Sequence, residues 1–116
     1  MTDLAGKRIL LVEDEVLIAL SAMDMIEDLG ATVVGPAHDL DSGLALARTE
    51  ALDGAVLDVN LNDARSDPIA DALSERSVPV LFATGYRNSA PAGFDLIVKP
   101  YTASMLGAAL SSLLRP

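Results

Sequence analysis

Four short apolar runs of this sequence are each followed by side chains that could do chemistry. In chain order these side chains are Glu13 and Asp14, Asp58, Thr84, and Lys99. A carboxylate can act as a nucleophile toward a phosphoryl group, and carboxylate oxygens are ligands that Mg²⁺ prefers. A lysine and a hydroxyl group can neutralise and bind phosphoryl oxygens. The pattern therefore indicates phosphoryl transfer, provided that the fold brings these residues together.

The elements that must position them can be predicted from five apolar runs. These runs are Arg8–Val12, Thr32–Gly35, Gly54–Leu57, Val78–Phe82 and Leu96–Val98. They are too short for helices and rich in aliphatic residues, which is typical of strands buried on both faces of a parallel sheet. In open parallel sheets, ligands bind outside the carboxyl ends of the strands. The second run ends at Gly35-Pro36, which we interpret as a plain turn.

The segments between the runs have helical spacing or helix caps. A stripe of apolar residues within Val16–Leu29 predicts the first helix, with Gly30 after its end, and comprises Ile18, Ala22, Met25 and Leu29. Asp39 or Asp41 can cap a helix that runs to about Arg48.

Two further helices are predicted downstream. Asp67 is the predicted N-cap of the first, with Pro68 as its first helical residue and its end near Arg76, and Thr102 can cap the last helix. The stretch Arg87–Gly93 has little apolar periodicity, so we expect a loop or one frayed turn in place of a regular fourth helix. Alternating strands and helices predict an α/β fold.

Composition narrows the function classes. The chain has 116 residues, 17 acidic and 8 basic side chains, a formal net charge of −9 and no cysteine. The length fits one domain, and the absence of cysteine excludes a disulfide scaffold, a cysteine-based zinc site and a thiol nucleophile. The acidic balance argues against nucleic-acid binding. No signal peptide or membrane span is visible, so we expect a cytoplasmic protein.

Three carboxylates at one edge of a sheet would repel each other, because charges interact strongly where little water is present. Lys99 offers one compensating positive charge, and a divalent cation bound through oxygen atoms would offer two more. Glu15 has a simpler interpretation, as a negative charge at the N-terminus of the first helix. We interpret His38 as a surface or turn residue.

Four motifs carry a resemblance to a known family. They read KRILLVEDE, AVLDVNLN, VPVLFATGY and LIVKPY, at Lys7–Glu15, Ala55–Asn62, Val78–Tyr86 and Leu96–Tyr101. In this order they resemble the receiver domains of two-component response regulators, over essentially the whole chain. The resemblance implies a single receiver domain over residues 1–116. It also implies a flavodoxin-like (βα)₅ fold with a parallel sheet in the order 2-1-3-4-5 and a short or disordered fourth helix.

The resemblance also implies roles for the acidic residues. Asp58 would be the phosphoacceptor and a ligand of Mg²⁺ or Mn²⁺. Asp14 would bind the metal directly, Glu13 would act through a coordinated water, and Asn60 would offer its backbone carbonyl.

The remaining site residues follow from the same resemblance. Thr84 would bind a phosphoryl oxygen, and Lys99 would pair with Asp58 and then with its phosphoryl group. The Lys99–Pro100 peptide bond would be cis. A receiver of this kind undergoes Mg²⁺-dependent self-phosphorylation and self-dephosphorylation at Asp58 and is otherwise not an enzyme.

More narrowly, VPVLFATGY is similar to the Phe-x-Thr-Gly-Tyr subgroup of stand-alone receivers. That resemblance implies a sensor histidine kinase of the HWE or a related type, or a phosphotransfer protein, as the phosphodonor. Most receivers have a switch aromatic three residues before the active-site lysine, where this chain has Leu96. Tyr86 and Tyr101 are therefore the candidate switch residues.

Two other classes of function have sequence features that this chain lacks. A phosphatase of the haloacid-dehalogenase type usually has a second acid two residues after the nucleophile, where this chain has Asn60. A flavin or nucleotide binder needs a phosphate loop after the first strand, where Glu13-Asp14-Glu15 would repel phosphate. If the chain is complete, no sequence follows the last helix for an effector domain, and we expect output by contact with a downstream protein or a role as a phosphate relay or sink. Receivers often dimerise through their fourth helix, so the weak fourth helix predicted here leads us to expect a monomer.

Overall fold

The computed structural model describes residues 4–62, 64–85 and 90–115, in which strands and helices mostly alternate. In chain order the elements are β1 (Arg8–Val12), α1 (Val16–Asp28), β2 (Thr32–Ala37), α2 (Leu40–Thr49), β3 (Gly54–Asp58), α3 (Asp67–Glu75), β4 (Val80–Thr84), β5 (Asp95–Val98) and α4 (Ala103–Leu113). None of the helices in these ranges is long and apolar enough to cross a membrane.

The strands form one parallel sheet in the order β2-β1-β3-β4-β5, which confirms the predicted flavodoxin-like topology. Successive residues of each inner strand enter different cores. In β1, Leu10 and Val12 join the core beneath α2 and α3, whereas Ile9 and Leu11 join the core beneath α1 and α4. This alternation explains why the inner strands are apolar at nearly every position.

The second strand runs further than predicted. It continues through Gly35 and Pro36 to Ala37, so the interpretation of Gly35-Pro36 as a plain turn is wrong. The register with β1 shifts by one residue over this segment, because Leu10 lies opposite Val34 but Val12 lies opposite Ala37. A one-residue insertion of this kind is a β-bulge, which lets the strand continue past a proline.

The first helix buries the predicted stripe only in part. Its buried residues are Ala19, Ala22 and Ile26, whereas Ile18 is exposed. Ala22 was predicted correctly, and Met25 and Leu29 of the predicted stripe are partly buried against the core beneath α1 and α4. The prediction was wrong at Ile18, because the small Ala19 beside it is the residue that becomes fully buried.

The predicted N-caps are confirmed in two of three helices. The side chains of Asp39 and Thr102 accept hydrogen bonds from the main-chain N–H groups of Ser42 and Met105, at 2.8 and 3.1 Å. The N-cap of α3 is Ser66 and not Asp67, which is already helical. The buried Ser66 hydroxyl donates instead to the carbonyl oxygen of Val59 at 3.2 Å.

The connection between β4 and β5 contains no helix in its described residues, Gly85 and 90–94, as the sequence predicted. Phe94 at its end packs edge-on against Phe82 with a ring-centroid distance of 5.3 Å. The rest of the connection, residues 86–89, lies outside the described residues.

Candidate functional site

Three carboxylates converge at the carboxyl edge of the sheet. Glu13 and Asp14 follow β1, and Asp58 is the last residue of the neighbouring β3. Each offers a carboxylate oxygen that lies within 4.8 Å of the others. Glu13 is only 4% exposed, and Asp58 is largely buried. The sequence therefore predicted correctly that these acids would meet.

Lys99 lies between two of these acids. Its Nζ is 2.8 Å from Oε1 of Glu13 and 3.2 Å from Oδ1 of Asp58. The other oxygen of Glu13, Oε2, accepts a hydrogen bond from the main-chain N–H of Glu15 at 3.2 Å. Glu13 is therefore the nearer partner of Lys99, in addition to the Asp58 pairing implied by the family resemblance.

The electrostatics of the cluster are unbalanced. Three negative charges and the one positive charge of Lys99 leave a formal charge of −2 when all four groups are ionised. Burial and the negative charge of Glu13 raise the pKa of Asp58 to about 7, although Lys99 acts in the opposite direction. Burial alone would lower the pKa of Lys99, but hydrogen bonds and the charges of Glu13 and Asp58 outweigh it and raise this pKa.

The other predicted site residues occupy neighbouring strand ends and loops. The buried Thr84 ends β4, and its carbonyl oxygen accepts a 2.8 Å hydrogen bond from the N–H of Lys99. Asn60 lies two residues beyond Asp58 and forms an isolated bridge with Arg65. The Lys99–Pro100 peptide bond is cis, as the resemblance implied. The candidate switch Tyr86 lies outside the described residues.

An apolar groove opens beside the cluster. Its volume is about 480 Å³, and Lys99 contributes to its wall together with Leu17, Ile18, Met25, Pro100 and Tyr101. Tyr101 is partly buried there, and burial raises the pKa of its hydroxyl. Leu17 is 81% exposed, and Val16 and Leu20 on the same helix are also exposed. The first helix therefore exposes several large apolar side chains, of which Leu17 lines the same groove as Lys99.

His38 is exposed, as the sequence predicted, but its contact with the site was missed. The Nδ1 atom of His38 lies 2.8 Å from the carbonyl oxygen of Glu13. His38 directly follows β2, whose carboxyl end lies beside that of β1. The rule that ligand sites gather at carboxyl strand ends would have found His38 if the end of β2 had been placed at Ala37.

Comparisons with known proteins give the family. The chain is 39% identical to SdrG from Sphingomonas melonis Fr1, with 98% of this chain and 99% of SdrG covered and a TM-score of 0.82. It is 30% identical to the response regulator PhyR from Brucella abortus, with a TM-score of 0.85 over 96% of this chain and 49% of that one. The chain is a response-regulator receiver domain. It belongs to the subgroup that contains PhyR and SdrG.

A third relative extends the same similarity. The phyllosphere-induced regulator PhyR of Methylorubrum extorquens is 33% identical over 114 residues, which cover 91% of this chain and 43% of that protein. The receiver spans about half the length of the curated relatives it matches. No family model matches the chain. Membership of the receiver family separates this chain from the phosphatases and nucleotide binders that the sequence alone left open.

Proposed function

We propose that this receiver accepts a phosphoryl group on Asp58 from a phosphohistidine of a partner protein. The donor would be a sensor histidine kinase, of the HWE type that the subgroup resemblance implies, or a phosphotransfer protein. The reaction requires Mg²⁺ or Mn²⁺, and the output is contact with a downstream protein. Because the donor histidine is charged from ATP, we expect the transfer to take place in the cytoplasm.

The observation that carries this proposal is the unbalanced acidic cluster. A fold gains no stability from three converging carboxylates that share one lysine, since their mutual repulsion is stronger where burial excludes water. A divalent cation would cancel the formal charge of −2. The donor set consists of carboxylates, which are hard oxygen ligands of the kind that Mg²⁺ and Mn²⁺ prefer.

The residues that would hold the metal are those the family resemblance assigns. Asp14 and Asp58 would bind it through carboxylates, Glu13 through a coordinated water, and Asn60 through its carbonyl. A bound divalent cation supplies positive charge to the phosphoryl oxygens during transfer. It would also favour the ionised form of Asp58, whose pKa is raised to about 7 without it.

The protein's own groups have three tasks in the transfer. A carboxylate oxygen of Asp58 attacks phosphorus while the bond from phosphorus to the donor's imidazole nitrogen breaks, and the freed imidazole takes up a proton. Lys99, which lies 3.2 Å from Asp58, then neutralises the phosphoryl group. The Thr84 hydroxyl would donate a hydrogen bond to a phosphoryl oxygen. Receivers are signalling modules, and this self-modification is the only catalysis we assign to the chain.

The apolar surface of α1 supports the docking part of the proposal. Leu17 and its exposed neighbours Val16 and Leu20 lie on the helix that begins three residues after Glu13. A partner that brings a phosphohistidine to Asp58 would cover this surface together with the groove that Leu17 and Tyr101 line. Tyr101 and Tyr86 remain the candidates for transmitting the change to the downstream protein.

Labelling by a small phosphodonor tests the acceptor assignment. Acetyl phosphate with Mg²⁺ should add one phosphoryl group to the wild-type protein, detected by intact-mass spectrometry, and none to Asp58→Asn. Asp71→Asn is the matched control, because Asp71 is exposed on α3. Asp53 is a poorer control, since its carboxylate accepts a 2.9 Å hydrogen bond from the N–H of Arg8. Labelling of Asp58→Asn at the wild-type level would refute the proposal.

A further inference from the structure

The main chain of Glu13 is held on both sides by the residues that end and follow β2. Its N–H donates to the carbonyl oxygen of Ala37 at 2.9 Å. Its own carbonyl oxygen lies 2.8 Å from Nδ1 of His38. A carbonyl oxygen only accepts hydrogen bonds, so Nδ1 of His38 must carry the hydrogen and donate it. Both polar groups of the Glu13 backbone are therefore bound by two consecutive residues.

The bulge in β2 is what brings His38 to this position. Before the bulge, Leu10 lies opposite Val34, and a continuation of that register would set Pro36 opposite Val12. The inserted residue sets Ala37 there instead, so His38 comes level with Glu13. β-Bulges near functional sites commonly re-aim a side chain in this way.

Gly35 makes the bulge possible. Its φ of +101° lies in the region that favours glycine. A Cβ atom at this position would lie 2.8 Å from the nitrogen of Ala37 and 3.0 Å from the carbonyl oxygen of Leu11. Both neighbours are main-chain atoms of the paired strands, so they cannot move aside without disturbing the sheet. The conformation that aims His38 thus depends on a residue without a side chain.

We propose that His38 is a positioning residue for the acidic pair Glu13-Asp14. The inference rests on the metal-dependent function proposed above. Like charges push Glu13, Asp14 and Asp58 apart, and the loop after β1 is the part that can yield, since Asp58 still belongs to β3. The hydrogen bond from His38 opposes that movement and keeps the acids in place for a cation. Groups that orient metal ligands typically change metal affinity 10–100-fold when removed.

A pair of substitutions at His38 tests the inference. His38→Leu removes the donor, and we expect it to raise the Mg²⁺ dissociation constant about tenfold, at the low end of the range for such groups. In His38→Asn, the amide nitrogen stands as many bonds from the backbone as Nδ1 does, so we expect an affinity close to wild type. Titration of each purified protein with MgCl₂ alone, followed by NMR, measures the affinity. An unchanged affinity in His38→Leu would overturn the inference.

Asp39→Ala is a control that distinguishes the positioning of Glu13 and Asp14 from a general loss of stability in the segment after β2. Asp39 is adjacent to His38 but caps α2, accepting a hydrogen bond from the N–H of Ser42 at 2.8 Å. Its removal should lower the melting temperature and leave the Mg²⁺ affinity as in wild type. If Asp39→Ala weakened Mg²⁺ binding as much as His38→Leu does, the effect would be one of loop stability and the inference would be wrong.

Hydrogen exchange of the Glu13 amide gives a readout that needs no metal. This amide donates to Ala37 within the braced segment, so His38→Leu should speed its exchange several-fold and His38→Asn should restore the protection. Failure of the wild-type protein to bind Mg²⁺ would refute the proposed function and leave this measurement intact. Unchanged exchange in His38→Leu would refute the role of His38, whatever the metal does.

Discussion

The two ends of the parallel sheet carry ion pairs of the same kind in different surroundings. At the amino end, Arg8 lies 3.1 Å from Glu50, and the two side chains are 40% and 39% exposed. At the carboxyl end, Lys99 lies 2.8 Å from Glu13, with exposures of 23% and 5%. Exposed pairs contribute less than about 1 kcal/mol, whereas a buried carboxylate that loses its partner destabilises a fold far more.

The two ends of the sheet differ in how well their charges are balanced. The Arg8 side chain also donates to the carbonyl oxygen of Ala51 at 2.7 Å, so it fastens the segment that leads into β3. The carboxyl end instead gathers more negative charge than Lys99 can balance. The amino end joins neighbouring segments, whereas the carboxyl end leaves a negative charge that the proposed divalent cation would balance.

The largest expected effect at the carboxyl end of the sheet is a loss of Mg²⁺ affinity. Asp14→Asn removes one carboxylate from the cluster and leaves Lys99 in place. We expect the Mg²⁺ dissociation constant to rise about 100-fold. Titration with MgCl₂ measures it. Equal affinity in Asp14→Asn and wild type would place the metal elsewhere and break the comparison.

A second effect concerns stability without metal. Lys99→Met keeps the aliphatic stem of Lys99 but leaves Glu13 and Asp58 without their cation, so we expect a loss of about 2 kcal/mol in the free energy of unfolding at pH 8. The loss should shrink at pH 5, where protonation of Asp58 relieves the repulsion. Urea unfolding at both pH values measures it, and a loss independent of pH would contradict the electrostatic explanation.

The pH dependence of the wild-type protein is a third, smaller effect. Asp58 has a pKa of about 7 when folded and its ordinary value of 3.8 when unfolded, so the folded state binds more protons between these values. The contribution of Asp58 to stability is therefore full below about pH 4 and falls as the pH rises to about 7. We expect a decrease of about 1–2 kcal/mol, reduced by solvent screening. Urea unfolding of metal-free wild type and Asp58→Asn should reveal it as the difference between the two pH profiles.

The smallest effect belongs to the amino end. Glu50→Gln removes the exposed partner of Arg8, and we expect a loss of about 0.5 kcal/mol or less with unchanged Mg²⁺ affinity. Thermal unfolding at low and high salt measures it. A loss as large as that of Lys99→Met would mean that the two ends do not differ as described.

Much of the fold could be predicted from local patterns. The first strand and the caps at Asp39 and Thr102 follow from short-range rules, because an apolar run and a capping oxygen act within a few residues. The convergence of Glu13, Asp58 and Lys99 followed from the topology of parallel sheets.

The errors share a physical cause, which is that they depend on packing between elements. Whether Ile18 or Ala19 faces the sheet is decided by how closely α1 can approach it, and not by hydrophobicity. The end of β2 depends on a bulge that only its pairing with β1 defines. The contact from His38 to Glu13 follows from that bulge, so both were missed together.

The bond between Lys99 and Glu13 joins residues that are 86 positions apart in the chain. Closing so long a loop is entropically unfavourable until most of the intervening sheet is in place, so we expect this contact to form late in folding. Asp58 lies midway along that loop and is synthesised well before Lys99. During translation, the proposed acceptor is therefore present on the ribosome without its lysine, and we expect that a nascent chain cannot take a phosphoryl group from the proposed donor until β5 has joined the sheet.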